Sequence, residues 1–386
     1  MKLFRCQACG QVLFFENTRC ERCARRVGYL PLANLLVALE AEGSQWAVFG
    51  ERSGVYRLCA NAAYDCCNWL IPADSPEAFC TACRHNGTVP DLSEPRNIEL
   101  WRKIEWAKHR LIYSLLKFEL PLQTRAESPE GLIFEFLTDD RASATAKVLT
   151  GHDNGRITIA LAEADDAERE SRRSAMGEPY RTLLGHFRHE SGHLYWDRLV
   201  RDGGLLAPCR SVFGDDARDY DEALETHYRC GPPPNWPENF VSAYAACHPW
   251  EDFAETWAHY LHIVDTLEMA RAFGVDIHPR LDVGAELETH IDFQPYRAQS
   301  AEQLVEAWLP LTFALNSINR CMGQPDLYPF ILTPAIVRKL DFVQRLIEPT
   351  MLPRAALAEG ATPSQKAVDT EEAANLEALR SDRCCA

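Results

Sequence analysis

Hydrophobic positions fall into two regimes along the chain. From Asn97 onward Ile98, Trp101, Ile104, Leu111, Leu115 and Phe118 recur at helical spacing, which predicts a long amphipathic helix. Two short apolar runs follow, Gly131 to Leu137 and Arg156 to Leu161, the second introduced by the turn sequence Asp153-Asn154-Gly155, and both read as strands of a small sheet. The charged stretch Ala164 to Arg173 reads as a loop. Beyond it, helices are predicted near 179–200, 219–230, 250–272, 300–320 and 334–347, separated by joints such as Cys230-Gly-Pro-Pro-Pro234. Before residue 90 there is no helical periodicity, only cysteines and turn residues closing on Asn86-Gly87-Thr88-Val89-Pro90. The expectation is an α+β chain in three parts. A Cys-rich module covers 1–95, a mainly helical domain with a small sheet covers 96–353, and an Ala- and Glu-rich tail over 354–386 has too few large apolar residues to fold.

The cysteines change this picture. There are 15, nine of them before residue 84 and mostly in C-x-x-C pairs, so the choice is between disulfides and metal. Met1 to Cys6 enters the first pair without an apolar stretch of signal-peptide length, and no run approaches the roughly 18 apolar residues of a membrane span. A reducing, cytoplasmic setting with thiolate-bound zinc is therefore expected. Cys6, Cys9, Cys20 and Cys23 have zinc-ribbon spacing, and a site closed by four thiolates stabilises a fold rather than doing chemistry. A second structural set consists of Cys59, one of the adjacent Cys66 and Cys67, Cys80 and Cys83; Cys67, which begins Cys-Asn-Trp, is the preferred member. The tail pair Cys384-Cys385 has no partners in the sequence and reads as incidental. The net charge of -16 argues against a general nucleic-acid binder, and the arginines at 5, 19, 22, 25 and 26 read as a solvated face.

Candidate chemistry lies in His189-Glu190-Ser191-Gly192-His193, within a helical apolar pattern. Residues four apart stack on one helix face, so His189 and His193 can offer two imidazoles to one tetrahedral metal, with Glu190 beside them as general base. A catalytic zinc needs a third protein ligand. The metzincin position for it is absent, because Leu199 stands where the last histidine would be. The segment from His248 to His262 offers several candidates on one predicted helix. Glu251 and Glu255 are four apart, so one could bind metal while the other holds a ligand histidine by its second nitrogen. His248 is an alternative ligand, His186, His259 and His262 read as structural, and Asp252 reads as a solvated carboxylate at a helix start. The strand Arg156 to Leu161 has the place in chain order of an edge strand that aligns an extended substrate.

The pattern of Glu251, Phe253, Ala254 and Glu255 after H-E-x-G-H resembles the gluzincin arrangement of lethal-factor-type toxins. That resemblance implies a zincin-like domain in which Glu251 binds the catalytic zinc, Glu255 orients the site, and Tyr244 stabilises the oxyanion. Over residues 1 to about 350 the chain also resembles a bacterial family that joins a zinc ribbon to a zinc-binding metallopeptidase domain. Cys-Asn-Trp at 67–69, His-Pro-Trp-Glu-Asp-Phe-Ala-Glu at 248–255, Asn-Arg at 319–320 and Tyr-Pro-Phe at 328–330 carry that likeness. The function expected is zinc-dependent hydrolysis of a peptide or protein substrate, with one catalytic and two structural zincs. The alternative is an adaptor that captures a protein partner through its ribbon and carries a silent peptidase domain.

Overall fold

The computed structural model describes residues 2–50, 54–138, 148, 150–280 and 287–348. The tail expected to be unfolded, with Cys384 and Cys385, lies outside the described residues. β1 (Phe4–Arg5) and β2 (Val12–Leu13) form a small antiparallel pair. They are followed by a five-stranded antiparallel meander of β3 (Val27–Leu30), β4 (Leu35–Glu42), β5 (Gln45–Val48), β6 (Val55–Leu58) and β7 (Leu70–Pro72). The sequence reading recognised the turns here but not the sheet, because most of these strands are too short to show alternation and the longer β4 buries a continuous run, Leu36 to Leu39, instead of alternate residues. The meander curls until its ends meet: Tyr29 bridges Trp69, and the Tyr29 amide donates to the Asn68 carbonyl.

The second half begins with α1 (Pro95–Lys117), the long amphipathic helix predicted from Asn97. A three-stranded sheet follows, of β8 (Ile133–Leu137), β9 (Gly151–Asp153) and β10 (Arg156–Ala160). Then come α2 (Asp166–Met176), α3 (Leu183–Tyr195), α4 (Leu206–Phe213), α5 (Tyr220–Cys230), the single turn α6 (Trp236–Asn239), α7 (Pro249–Phe273), α8 (Ala301–Cys321) and α9 (Pro334–Ile347). The architecture is a Cys-rich ribbon module with sheets, then a mainly helical domain with a small one. Among the described residues no helix is long and apolar enough to cross a membrane.

Two expectations are corrected. The charged stretch 164–173 is largely helical. Asp165 caps α2 by accepting from the amides of Ala167 and Glu168, and Gly177 ends it at φ +66°. Pairs such as Arg169–Asp166 and Arg172–Glu168 line the helix, which buries no residue and so has no apolar stripe to announce it. The strand at 156 is central, not an edge: β10 lies between β8, parallel to it, and β9, antiparallel. Among the described residues the outer strand, on the α3 side, is β9. The segment at 86–88, where the Cys-rich region closes, is pinned along β8 by Gly87 N to Phe134 O and Phe136 N to Thr88 O.

One continuous core runs from Phe4 to Ile347. At its ribbon end Phe15 packs edge-on against Tyr113 of α1 at 5.4 Å, Trp69 lies 5.4 Å from the His109 ring, and Tyr64 meets Trp101 at 5.6 Å. Asn68 stitches the two cysteine loops together by donating to the carbonyls of Phe15 and Asn17. Further along α1, Tyr113 donates to Glu268 and Ser114 to Asp265 of α7, while Arg188 of α3 pairs with the same Asp265. A single helix thus braces both halves.

Candidate metal centres

α3 carries His189, Glu190 and His193, and α7 lies against it. The contact is close because Gly192 has no side chain: a Cβ there would meet Ala254 Cα at 2.8 Å. His189 Nε2 and His193 Nε2 are 3.2 Å apart, and Glu251 Oε2 lies 3.0 Å from the first and 3.5 Å from the second. Ligand atoms around a tetrahedral zinc are separated by about 3.3 Å, the edge set by metal–ligand bonds of about 2.0–2.1 Å. Glu251 Oε2 is buried and accepts no hydrogen bond, an orphaned carboxylate oxygen aimed at two imidazoles. The residues fit a zinc ion. Although burial disfavours imidazolium, Glu251 and Glu255 hold the His189 pKa well above the usual histidine range.

Each residue of the 248–255 motif has a separate task. His248 is the N-cap of α7, accepting from Trp250 N through Nδ1, and its Nε2 sits 3.1 Å from the Arg218 carbonyl. With both nitrogens engaged it is not the third ligand. Pro249 occupies the first turn, where its missing N–H costs nothing. Trp250 lies over the His193 ring at 3.7 Å between centroids. Asp252, expected in solvent, is fully buried and paired with Lys339 of α9 at 2.6 Å; burial pushes its pKa up to about 7 against the opposing pull of Lys339. Phe253 fills the core, and Ala254 is the floor beneath Gly192. Glu255 Oε1 sits 2.8 Å from His189 Nδ1, and its Oε2 accepts from Ser242 at 2.6 Å. Burial would raise the Glu255 pKa, but those hydrogen bonds hold it down to about 2, so it stays an anion that fixes the His189 ring.

The remaining histidines are structural, as expected. His186 pairs with Glu163, His259 Nδ1 meets the Tyr328 hydroxyl at 2.7 Å, and His262 Nδ1 meets Arg188. The Tyr-Pro-Phe segment at 328–330 thereby props α7 one turn beyond Glu255, with Phe330 against the His259 ring. Tyr244 lies beside the site, 6.0 Å from the His189 ring between centroids. Sequence reasoning missed Tyr220 of α5, whose hydroxyl donates to Glu251 Oε1 at 2.6 Å, and His152 of β9, whose ring is 6.2 Å from that of His193. Neither stands near the motif in sequence, and nothing in the local pattern marks it.

In the ribbon, Cys6, Cys9, Cys20 and Cys23 bring their four sulfurs within 4.8 Å of one another, as do Cys59, Cys67, Cys80 and Cys83. The Cys6–Cys23, Cys9–Cys20 and Cys67–Cys80 sulfurs are 3.7, 3.5 and 3.7 Å apart, close to the roughly 3.8 Å edge of a tetrahedral zinc–tetrathiolate. Gly10 and Ala24, each following the second cysteine of a pair, take positive φ and turn the loop back under the sulfurs. Cys66 is outside the set and donates to the Asn61 carbonyl at 3.1 Å. Cys83 has two neighbours from α1, Glu105 and His109, at 3.4 and 3.5 Å. These three could hold a metal by themselves, but the Glu105 carboxylate is already spanned by the buried Lys108 ammonium at 2.9 and 2.8 Å.

Two closed four-cysteine sets joined to a helical domain with a His-His-Glu centre define a two-part zinc-binding protein. The chain belongs to the family described as "Putative zinc-binding metallo-peptidase", which it matches over residues 97–346, and it matches a zinc-ribbon domain over residues 3–94. It is 40% identical over 352 residues to uncharacterized proteins of Mycobacterium tuberculosis and Mycobacterium bovis, covering 90% of this chain and 96% of each relative. No solved structure matches the chain.

Proposed function

We propose that the protein hydrolyses peptide bonds at the centre formed by His189, His193 and Glu251, with Glu190 as general base. The observation that carries this reading is the convergence of two imidazole nitrogens and one orphaned carboxylate oxygen next to a buried glutamate on the same helix. A zinc ion held by these three residues would supply Lewis acidity, to polarise a substrate carbonyl and acidify water. Glu190 takes the proton of the attacking water and passes it to the leaving amine. Tyr244 offers a phenol to the oxyanion. Glu255, fixed by Ser242, keeps His189 Nδ1 occupied so that Nε2 faces inward. An extended substrate would pair its backbone with β9, the outer strand on the α3 side. The two cysteine sets hold structural zinc, which with the free cysteines of the described chain fits a reducing cytoplasm.

The test is Glu190→Gln in the full chain. Zinc content is expected to stay at the wild-type value while turnover of a peptide substrate falls by about 10²-fold or more, the usual weight of a general base. A variant that cuts at the wild-type rate would refute the mechanism.

A further inference from the structure

α5 is an unusual helix for its position. Along its length only Ala223 is buried, so it has almost no apolar seat. What seats it is its first residue, Tyr220, following the N-cap Asp219. The Tyr220 ring stands edge-on to His248 at 5.3 Å and to Trp250 at 5.6 Å, both at the start of α7. Its hydroxyl reaches the next residue, donating to Glu251 Oε1. At 2.6 Å this lies in the short range of an O–H donor on an ionised carboxylate, one of the stronger hydrogen bonds available to a protein.

The two oxygens of Glu251 are therefore divided. Oε2 accepts no hydrogen bond and faces His189 and His193, whereas Oε1 is taken by the phenol. The division matters because a carboxylate can give a cation one oxygen or both. A hydrolytic zinc centre keeps a fourth position open for water, and a second carboxylate oxygen would crowd it. We infer that Tyr220 is a positioning residue for the metal ligand Glu251, reserving Oε1 so that Oε2 alone meets the metal. The kinetic consequence rests on the peptidase reading; the geometric one does not.

Tyr220→Phe isolates the hydroxyl, since phenylalanine keeps the ring against His248 and Trp250 and with it the seat of α5. Two measurements on the full chain decide the matter. In crystals of the zinc-loaded wild type and variant, located by zinc anomalous scattering, wild type is expected to show one Glu251 oxygen on the metal and Oε1 on Tyr220, and the variant both oxygens drawn to the metal. In steady-state assays, kcat is expected to fall about tenfold or more with KM within about twofold, the usual loss when a partner of a metal ligand is removed. Two Glu251 oxygens on zinc in wild type, one in the variant, or an unchanged kcat each overturns the inference. If wild type cleaves nothing, the peptidase reading fails, yet the crystals still decide the role of Tyr220.

Discussion

Adjacent along the chain and both buried, Cys66 and Cys67 direct their sulfurs to different partners, the first to a backbone carbonyl and the second into a four-sulfur cluster. Cys67→Ser is therefore expected to lose one equivalent of zinc per chain by elemental analysis, and Cys66→Ala to keep the full complement at a cost of about 1 kcal/mol for one hydrogen bond. Most of the centre was legible at this scale because helical spacing alone stacks His189 on His193 and Glu251 near Glu255. Tyr220 was not, since a role defined by a partner 31 residues away depends on how α5 lies against α7. The true environment of Asp252 was hidden for the same reason: a carboxylate at a helix start is ordinarily solvated, and only the approach of α9 makes it a buried ion pair.

Between elements, the decisive contact is that of α3 with α7. The sequence announced the two helices but not their spacing, which follows from the bare Gly192 lying on Ala254. α2 went unrecognised because its stability comes from capping and charge pairs rather than from an apolar face, and β10 was misplaced because edge and centre cannot be told apart in a run such as Arg156 to Leu161. α9 holds α7 from behind through Lys339, which also donates to the Asn239 carbonyl and stacks over Phe240. Lys339→Met leaves Asp252 buried without its partner. The expected cost is about 1–3 kcal/mol, read from the urea midpoint at neutral pH: without Lys339 the Asp252 carboxyl, already raised to about 7, takes up a proton and is left as a buried polar group without its partner.

For the whole molecule, the consequential fact is that the ribbon and the helical domain share one core. Cutting at residue 95 would strip Tyr64 from Trp101 and Phe15 from Tyr113, aromatic contacts whose loss by truncation costs about 3–5 kcal/mol for each large side chain removed. Residues 96–386 alone are accordingly expected to lack a cooperative unfolding transition by circular dichroism, whereas the full chain unfolds in one step that coincides with release of ribbon zinc. Two independent transitions in the full chain would contradict this. A fragment binding assay with the ribbon alone would therefore test a damaged molecule, and the adaptor alternative is better examined on the intact chain with Glu190→Gln. The shared core also ties the protein to its surroundings. Structural zinc contributes folding free energy directly, and on the proposed reading of the cysteine sets that contribution would extend past the ribbon into the framework that carries Glu190. A cell short of the metal would thus have less of the folded protein rather than a full stock of idle molecules, and its abundance would follow zinc supply.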